Sequence, residues 1–244
     1  DSLDKPLINR PLRGVYPPGS TFKPFAALAG LENDKRKPPF SIYDSGFYTL
    51  PNSAHRYRDW KPGGHGNVDM RKAITISCDT FFYGLAVELG IERLTNFVRH
   101  FGFGRKSGID IAGEVGGLLP TPEWKQRRFK QPWYMGETVI VGIGQGYTLA
   151  TPMQLAQATA ILANRGVAMR PHLVSAITNA KSGISEATQA IISDKILLDE
   201  NNSEIVRLGM VDVTLPGGTA ASVGANAGYS IAAKTGTAQV VGIK

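Results

Sequence analysis

A single cysteine, Cys78, among 244 residues excludes an internal disulfide and leaves the redox compartment open. No stretch approaches the ~18 consecutive apolar residues of a membrane-spanning helix, and no charged-then-apolar leader opens the chain. Internal repeats and low-complexity tracts are also lacking, which excludes solenoid, collagen-like and disordered classes. Acidic residues are the minority sign: 20 Asp and Glu stand against 27 Lys and Arg, a net charge of +7. Such an excess suits an anionic partner, whether nucleic acid, phospholipid or wall polymer, without choosing among them. The densest basic run, "KQRRFKQPWY" at 125–134, mixes cations with aromatics, but no nucleic-acid fold signature accompanies it, so it reads as a solvated surface loop.

What is present is an ordinary globular composition, 42% hydrophobic, with 28 glycines and 15 prolines spread along the chain. That predicts a loop-rich fold of one large domain or two small ones. The chain opens on Asp1 rather than methionine and is expected to be an excised or processed piece of a longer protein.

Proline is tolerated in a helix only in the first turn, so Pro24 in "STFKPFAALAGLE" predicts a helix from Ser20 or Thr21 to Glu32, with Ser20 at its positive end. Residues 35–66 form a turn-rich, ordered excursion. Helices are predicted over Asp69–Ile76 and Thr80–Leu89 with a break at "SCD", over "IERLTNFVRHFG", and over "PMQLAQATAILANRG" with its entry proline and glycine stop. "YSIAAKTGTAQVVGI" at 229–243 reads as a strand. Helices followed by late strands favour an α+β class.

Three short motifs carry chemistry. Ser20 and Lys23 are three apart, which places them on one helix face, where a desolvated lysine can deprotonate a serine. Simple capping by Ser20 is the rival reading, and "SLDK" at 2–5 matches the same pattern by chance before Pro11 stops any helix. Ser77 and Asp79 sit in the predicted break, as a proton-passing hydroxyl and a carboxylate, or simply as a helix cap. "KTGT" at 234–237 puts a cation beside a glycine that lets a substrate backbone approach, or is any strand end. Together and in this order, SxxK, a second serine motif and KTG form the signature of penicillin-binding proteins and serine β-lactamases.

The sequence accordingly resembles the penicillin-binding transpeptidases, and more narrowly the class B penicillin-binding protein 2 subfamily of cell elongation. "GVYPPGSTFKPF", "RYRDWKPGGHG", "CDTFFYGLA", "FGFGRKSGIDI", "EWKQRRFKQPWY" and "VGIGQGYTLATPMQLAQA" carry the likeness, closely over 7–175, thinly over 176–215, and again at KTG. The resemblance implies a helical lobe packed on an antiparallel sheet, one transpeptidase domain over 1–244, and a D,D-transpeptidase that crosslinks peptidoglycan stem peptides through a serine acyl-enzyme. It implies Ser20 as nucleophile, Lys23 as base, and Ser77 with Lys234 on the proton path. It also implies substrate contacts from Asp79, Thr235, Gly236 and Thr237. Further implications are acylation by β-lactams, a place on the periplasmic face of the bacterial inner membrane, and a membrane glycosyltransferase and other elongation proteins as partners, with no nucleic acid. A serine β-lactamase, a D,D-carboxypeptidase and a non-catalytic β-lactam sensor are the alternatives.

The chain departs from the family in two ways. "SCD" has aspartate where the wider superfamily has asparagine, although the elongation subfamily often shares the aspartate. The anchor, pedestal, terminal hairpin partner and helix of the family are expected to lie outside this chain. Asp44, Asp59, His65 and Cys78 are zinc-ligand types, but their spacing is not that of a zinc finger, and a buried thiol among surface aspartates is the plainer reading. The resemblance implies a structural zinc on these four, since some subfamily members carry such a set. His55 and His100 read as structural.

Overall fold

The computed structural model describes residues 7–238. The SxxK match at Ser2–Lys5 and the tail of the expected terminal strand, 239–243, lie outside the described residues. Helix α1 (Arg10–Arg13) leads into a 3-10 turn, Gly19–Phe22, which runs straight into α2 (Lys23–Glu32). The excursion carries β1 (Ser41–Asp44), β2 (Phe47–Tyr48) and β3 (Tyr57–Arg58) and closes on β4 (Gly66–Asp69). Then follow α3 (Met70–Thr75), α4 (Asp79–Leu89), α5 (Ile91–Arg99), α6 (Pro122–Phe129), α7 (Met135–Val141) and α8 (Pro152–Ala163). After β5 (Val167–Met169), β6 (Ala176–Thr178), β7 (Ser185–Ala187) and β8 (Ile192–Lys195) come α9 (Glu200–Asp212) and α10 (Ala221–Gly224).

Helix α2 is the centre of the core. Every residue from Lys23 to Leu31 is buried, so this helix is enclosed all round rather than amphipathic, and it packs on α4, α5 and α9. Phe22 and Phe25 meet Phe103 edge-on with centroids 5.2 Å apart, which locks the base of the Ser20 turn into the interior. All strand pairing among the described residues is antiparallel, in four two-stranded sheets, and β1 on β4 ties the excursion to the start of α3.

Three expectations need correction. The α-helix begins at Lys23, not at Ser20 or Thr21, because the chain enters through a 3-10 turn; Pro24 still sits in the first helical turn. Residues 229–238 form no strand, because no partner pairs with them among the described residues; Ala233 N–H instead donates to the carbonyl of Met210 on α9. The run at 125–134 is exposed over most of its length, as expected, but its first half, 125–129, is helix rather than loop. Thr121 caps α6 with Pro122 at its entry, Lys125 is buried against Glu137, and Phe129 packs on Tyr147.

Candidate active site

The Ser20 turn is shaped by backbone approach. Gly19 has φ +55° and its N–H donates to the carbonyl of Gly144 at 2.9 Å. A Cβ on Gly19 would strike the Thr237 carbonyl, and one on Gly144 (φ +71°) would strike the Gly19 carbonyl. Only glycines at these positions let three chain segments stack here. Ser20 is half-buried, and among the described residues its Oγ has no hydrogen-bond partner.

Lys23, fully buried, projects from the first turn of α2 towards the α3–α4 break. Its ammonium donates to the Ser77 carbonyl at 2.8 Å, to Ser77 Oγ at 3.1 Å and to Asp79 Oδ1 at 2.6 Å. All three ammonium donors are thereby engaged. The expected Ser20–Lys23 pairing is therefore one of backbone only, Lys23 N–H to the Ser20 carbonyl. Ser77 sits at φ +58°, a region a non-glycine residue occupies only where its surroundings hold it there. The cap position of α4 is Cys78, with Asp79 inside the first turn.

Lys234–Thr237 crosses the same place as a segment without regular secondary structure. Lys234 Nζ donates to the Thr235 carbonyl at 3.0 Å, and Thr235 Oγ1 shares a 2.8 Å hydrogen bond with Thr219 Oγ1. A Cβ on Gly236 would meet the Thr21 side chain 2.6 Å away, so the segment lies directly on the serine turn. Burial first, and the charge of Lys23 second, bring Lys234 down to about 7 against the pull of Asp79. The structure thus brings Ser20, Lys23, Ser77, Asp79 and Lys234–Thr237 to one locus.

Behind the break lies the second predicted cluster. Asp44, Asp59, His65 and Cys78 present ligand atoms all within 4.8 Å of one another. His65 Nδ1 is 2.7 Å from Asp44 Oδ2 and 3.5 Å from Asp59 Oδ1, and Cys78 Sγ donates to Asp44 Oδ2 at 3.5 Å. His65 Nε2 is buried without a partner. Burial, then the charges of Asp59 and Asp44, push the Cys78 thiol up. Backbone N–H groups of Gly46 and His65 hold Asp44, and those of Lys61 and Thr80 hold Asp59, which orients both carboxylates; one N, one S and two O donors suit a four-coordinate divalent ion. Asp59 also accepts the Thr80 N–H at 3.0 Å, so a residue of this cluster caps α4.

Two residues at the locus were not singled out from sequence. Gln145 Nε2 donates to the Thr237 carbonyl at 2.9 Å, and Trp60 contacts both ends of the Ser77 break. Both lie inside the conspicuous stretches "VGIGQG" and "RYRDWKPGGHG"; the geometry that distinguishes them from their neighbours is long-range and left no local periodicity to read.

A family profile described as "Penicillin binding protein transpeptidase domain" matches residues 1–244. The peptidoglycan D,D-transpeptidase MrdA of Haemophilus influenzae is 45% identical over 251 residues, covering 100% of this chain and 38% of its own length. The crystal structure of Pseudomonas aeruginosa PBP2 in complex with WCK 5153 superposes with a TM-score of 0.88 at 49% identity, over 98% of this chain and 54% of that one. PBP2 of Helicobacter pylori in complex with MreC matches with a TM-score of 0.84 at 36% identity, over 98% of this chain and 43% of that one. The chain thus spans about two fifths of the curated relative's length. With its serine turn, buried lysine, second serine and KTGT segment converging as the three motifs require, the chain belongs to the penicillin-binding protein transpeptidase domain family.

Proposed function

We propose that this chain is the acyl-transfer domain of an elongation-type peptidoglycan D,D-transpeptidase. The observation that carries the reading is the convergence of the Ser20 turn, the Lys23–Ser77–Asp79 contacts and the Lys234–Thr237 segment at one locus. Ser20 Oγ attacks the carbonyl of the penultimate D-alanine of a stem peptide as Lys23 takes its proton; for this step Lys23 has first passed a proton to Ser77 and turned its freed lone pair from the Ser77–Asp79 acceptors to Ser20. The C–N bond to the terminal D-alanine breaks, and its nitrogen receives a proton through Ser77 and Lys234. An amine of a neighbouring stem peptide then displaces Ser20 and completes the crosslink. Lys234 and Thr235 hold the donor carboxylate, Gly236 admits the backbone and Thr237 the acyl chain. Asp79 has one oxygen on Lys23 and the other on the Trp60 N–H, and each keeps a lone pair for substrate. Backbone N–H groups of Ser20 and Thr237 form the oxyanion hole, a feature worth about 3–4 kcal/mol per donor in serine hydrolases.

β-Lactams acylate the same serine. The full protein works at the periplasmic face of the inner membrane with a glycosyltransferase and other elongation proteins; the complex of the Helicobacter pylori relative with MreC supports such an assembly. The test is the fate of the adduct. A penicillin adduct of the full-length protein is expected to persist for minutes or longer, whereas release within seconds would mark a hydrolase.

The depressed Lys234 gives a pH dependence. If its cation anchors the ligand carboxylate, acylation efficiency falls as pH rises through about 7, where the group loses its proton. Between pH 7 and 9, Lys234→Arg should remove the fall, since a guanidinium stays charged; a flat wild-type profile contradicts the anchoring role.

Asp44, Asp59, His65 and Cys78 would hold a structural zinc. It would neutralise the carboxylates and fasten the excursion to the α3–α4 break. Protein purified without chelator is expected to contain about one equivalent of zinc. Cys78→Ser should lose most of it and lower the melting midpoint by at least about 5 °C, roughly 2 kcal/mol for a chain of this size. Metal well below one equivalent in the wild type refutes the site.

A further inference from the structure

We propose that Trp60 is a positioning residue for the acylation step: it grips the Ser77 turn from outside while Lys23 grips it from inside. Its indole Nε1–H donates to the Ile76 carbonyl at 3.1 Å, immediately before Ser77. Its backbone N–H donates to Asp79 Oδ2 at 3.2 Å, two residues after Ser77. Lys23 holds the same short segment by the Ser77 carbonyl, Ser77 Oγ and Asp79 Oδ1. Ser77 stands at φ +58° as the left-handed residue that ends α3, its N–H on the Ile74 carbonyl and the Cys78 N–H on the Ala73 carbonyl; the Trp60 and Lys23 contacts hold this turn from its two sides.

Packing does not account for the tryptophan. It is 56% exposed, and its ring rests only loosely on His65, with centroids 5.3 Å apart. Its contribution is directional: two N–H donors aimed at the carbonyl and the carboxylate that bracket Ser77. A hydroxyl that must face Lys23 on one side and a departing amine on the other depends on that bracket. This rests on the reading of Ser20 as the acylated serine.

The test replaces Trp60 in the full-length protein with benzothienylalanine, which keeps the shape and deletes the N–H, and separately by Trp60→Phe. A fluorescent penicillin is the probe, with the acylation rate constant separated from the dissociation constant of the preceding complex. Loss of one hydrogen bond that orients a reacting group is expected to lower the rate constant about 3- to 10-fold while the dissociation constant changes less than about 2-fold. In a Ser77→Ala background the same replacement should change the rate constant by less than about 2-fold, because the group being positioned is gone. An unchanged rate constant, a loss confined to the dissociation constant, or a full multiplicative loss in the Ser77→Ala background overturns the role. Undiminished labelling of Ser20→Ala overturns the acylation reading itself; an unchanged rate constant with Ser20-dependent labelling overturns only the part given to Trp60.

Discussion

Ser20→Ala is expected to abolish covalent labelling by a penicillin and crosslinking in a reconstituted assay, a loss on the order of 10⁴-fold or more. Folding should be unaffected. Ser20 Oγ has no partner among the described residues, and the turn is set by Gly19 on Gly144 and by Phe22 in the core, none of which the substitution touches. Noncovalent binding should survive, since Lys234 and Thr235 remain. The adjacent hydroxyl offers no substitute nucleophile: Thr21 Oγ1 is committed to the Pro18 carbonyl at 2.6 Å. Retained crosslinking in Ser20→Ala would remove Ser20 from the chemistry, and a large drop in melting temperature would show that the turn depends on the hydroxyl.

The second large effect belongs to Lys23, where stability and chemistry separate. Its side chain is fully buried, and Asp79 is 13% exposed, so the pair is nearly sealed from water. Removing one member of such a pair strands the other. Lys23→Met keeps the methylene packing and should cost up to about 3 kcal/mol, at the lower edge of the range for fully buried pairs because Asp79 retains some solvent. Acylation should fall by about 10³-fold or more, as the serine loses its base. Adding Asp79→Asn removes the stranded carboxylate and should recover much of the stability, read by thermal melting, with none of the acylation rate. Recovery of both together would mean that Lys23 acts only through the fold; recovery of neither would mean that the ion pair is not what Lys23 stabilises.

The sequence was legible where the controlling contacts are local. Pro24 placed the entry of α2 to within three residues, Pro152 marked the entry of α8, and the break at Ser77 followed from two helical patterns that do not join. The motif trio was legible as a combination because order along the chain survives folding, although no member decided anything alone. The zinc-ligand set came from resemblance, and the structure supplies what spacing could not, an antiparallel pairing of β1 with β4 that sets Asp44 opposite Gly66, beside His65, and so near Cys78.

What failed was governed by distant partners. An extended segment becomes a strand only when another pairs with it, and residues 229–238 have none among those described. Helix α6 was hidden by its charge, yet Thr121, Pro122 and Glu123 form a start signal that a reading led by the basic run passed over. Helix α9 has only Val206, Gly209, Met210 and Asn202 buried, too thin an apolar face for periodicity to reveal. The Lys23 contacts were misjudged for the same reason: three-residue spacing pointed it at Ser20, but acceptors more than fifty residues away in sequence took all its donors.

The central claim is that the serine on the Gly19–Phe22 turn is the nucleophile, and mapping the adduct tests it most directly. The full-length protein is acylated with a penicillin, digested with trypsin and sequenced by mass spectrometry. The mass of one opened β-lactam is expected on the peptide spanning residues 14–35, with fragment ions placing it on Ser20 and not on Thr21. An adduct on Ser77, on Thr237 or on any other residue would contradict the account.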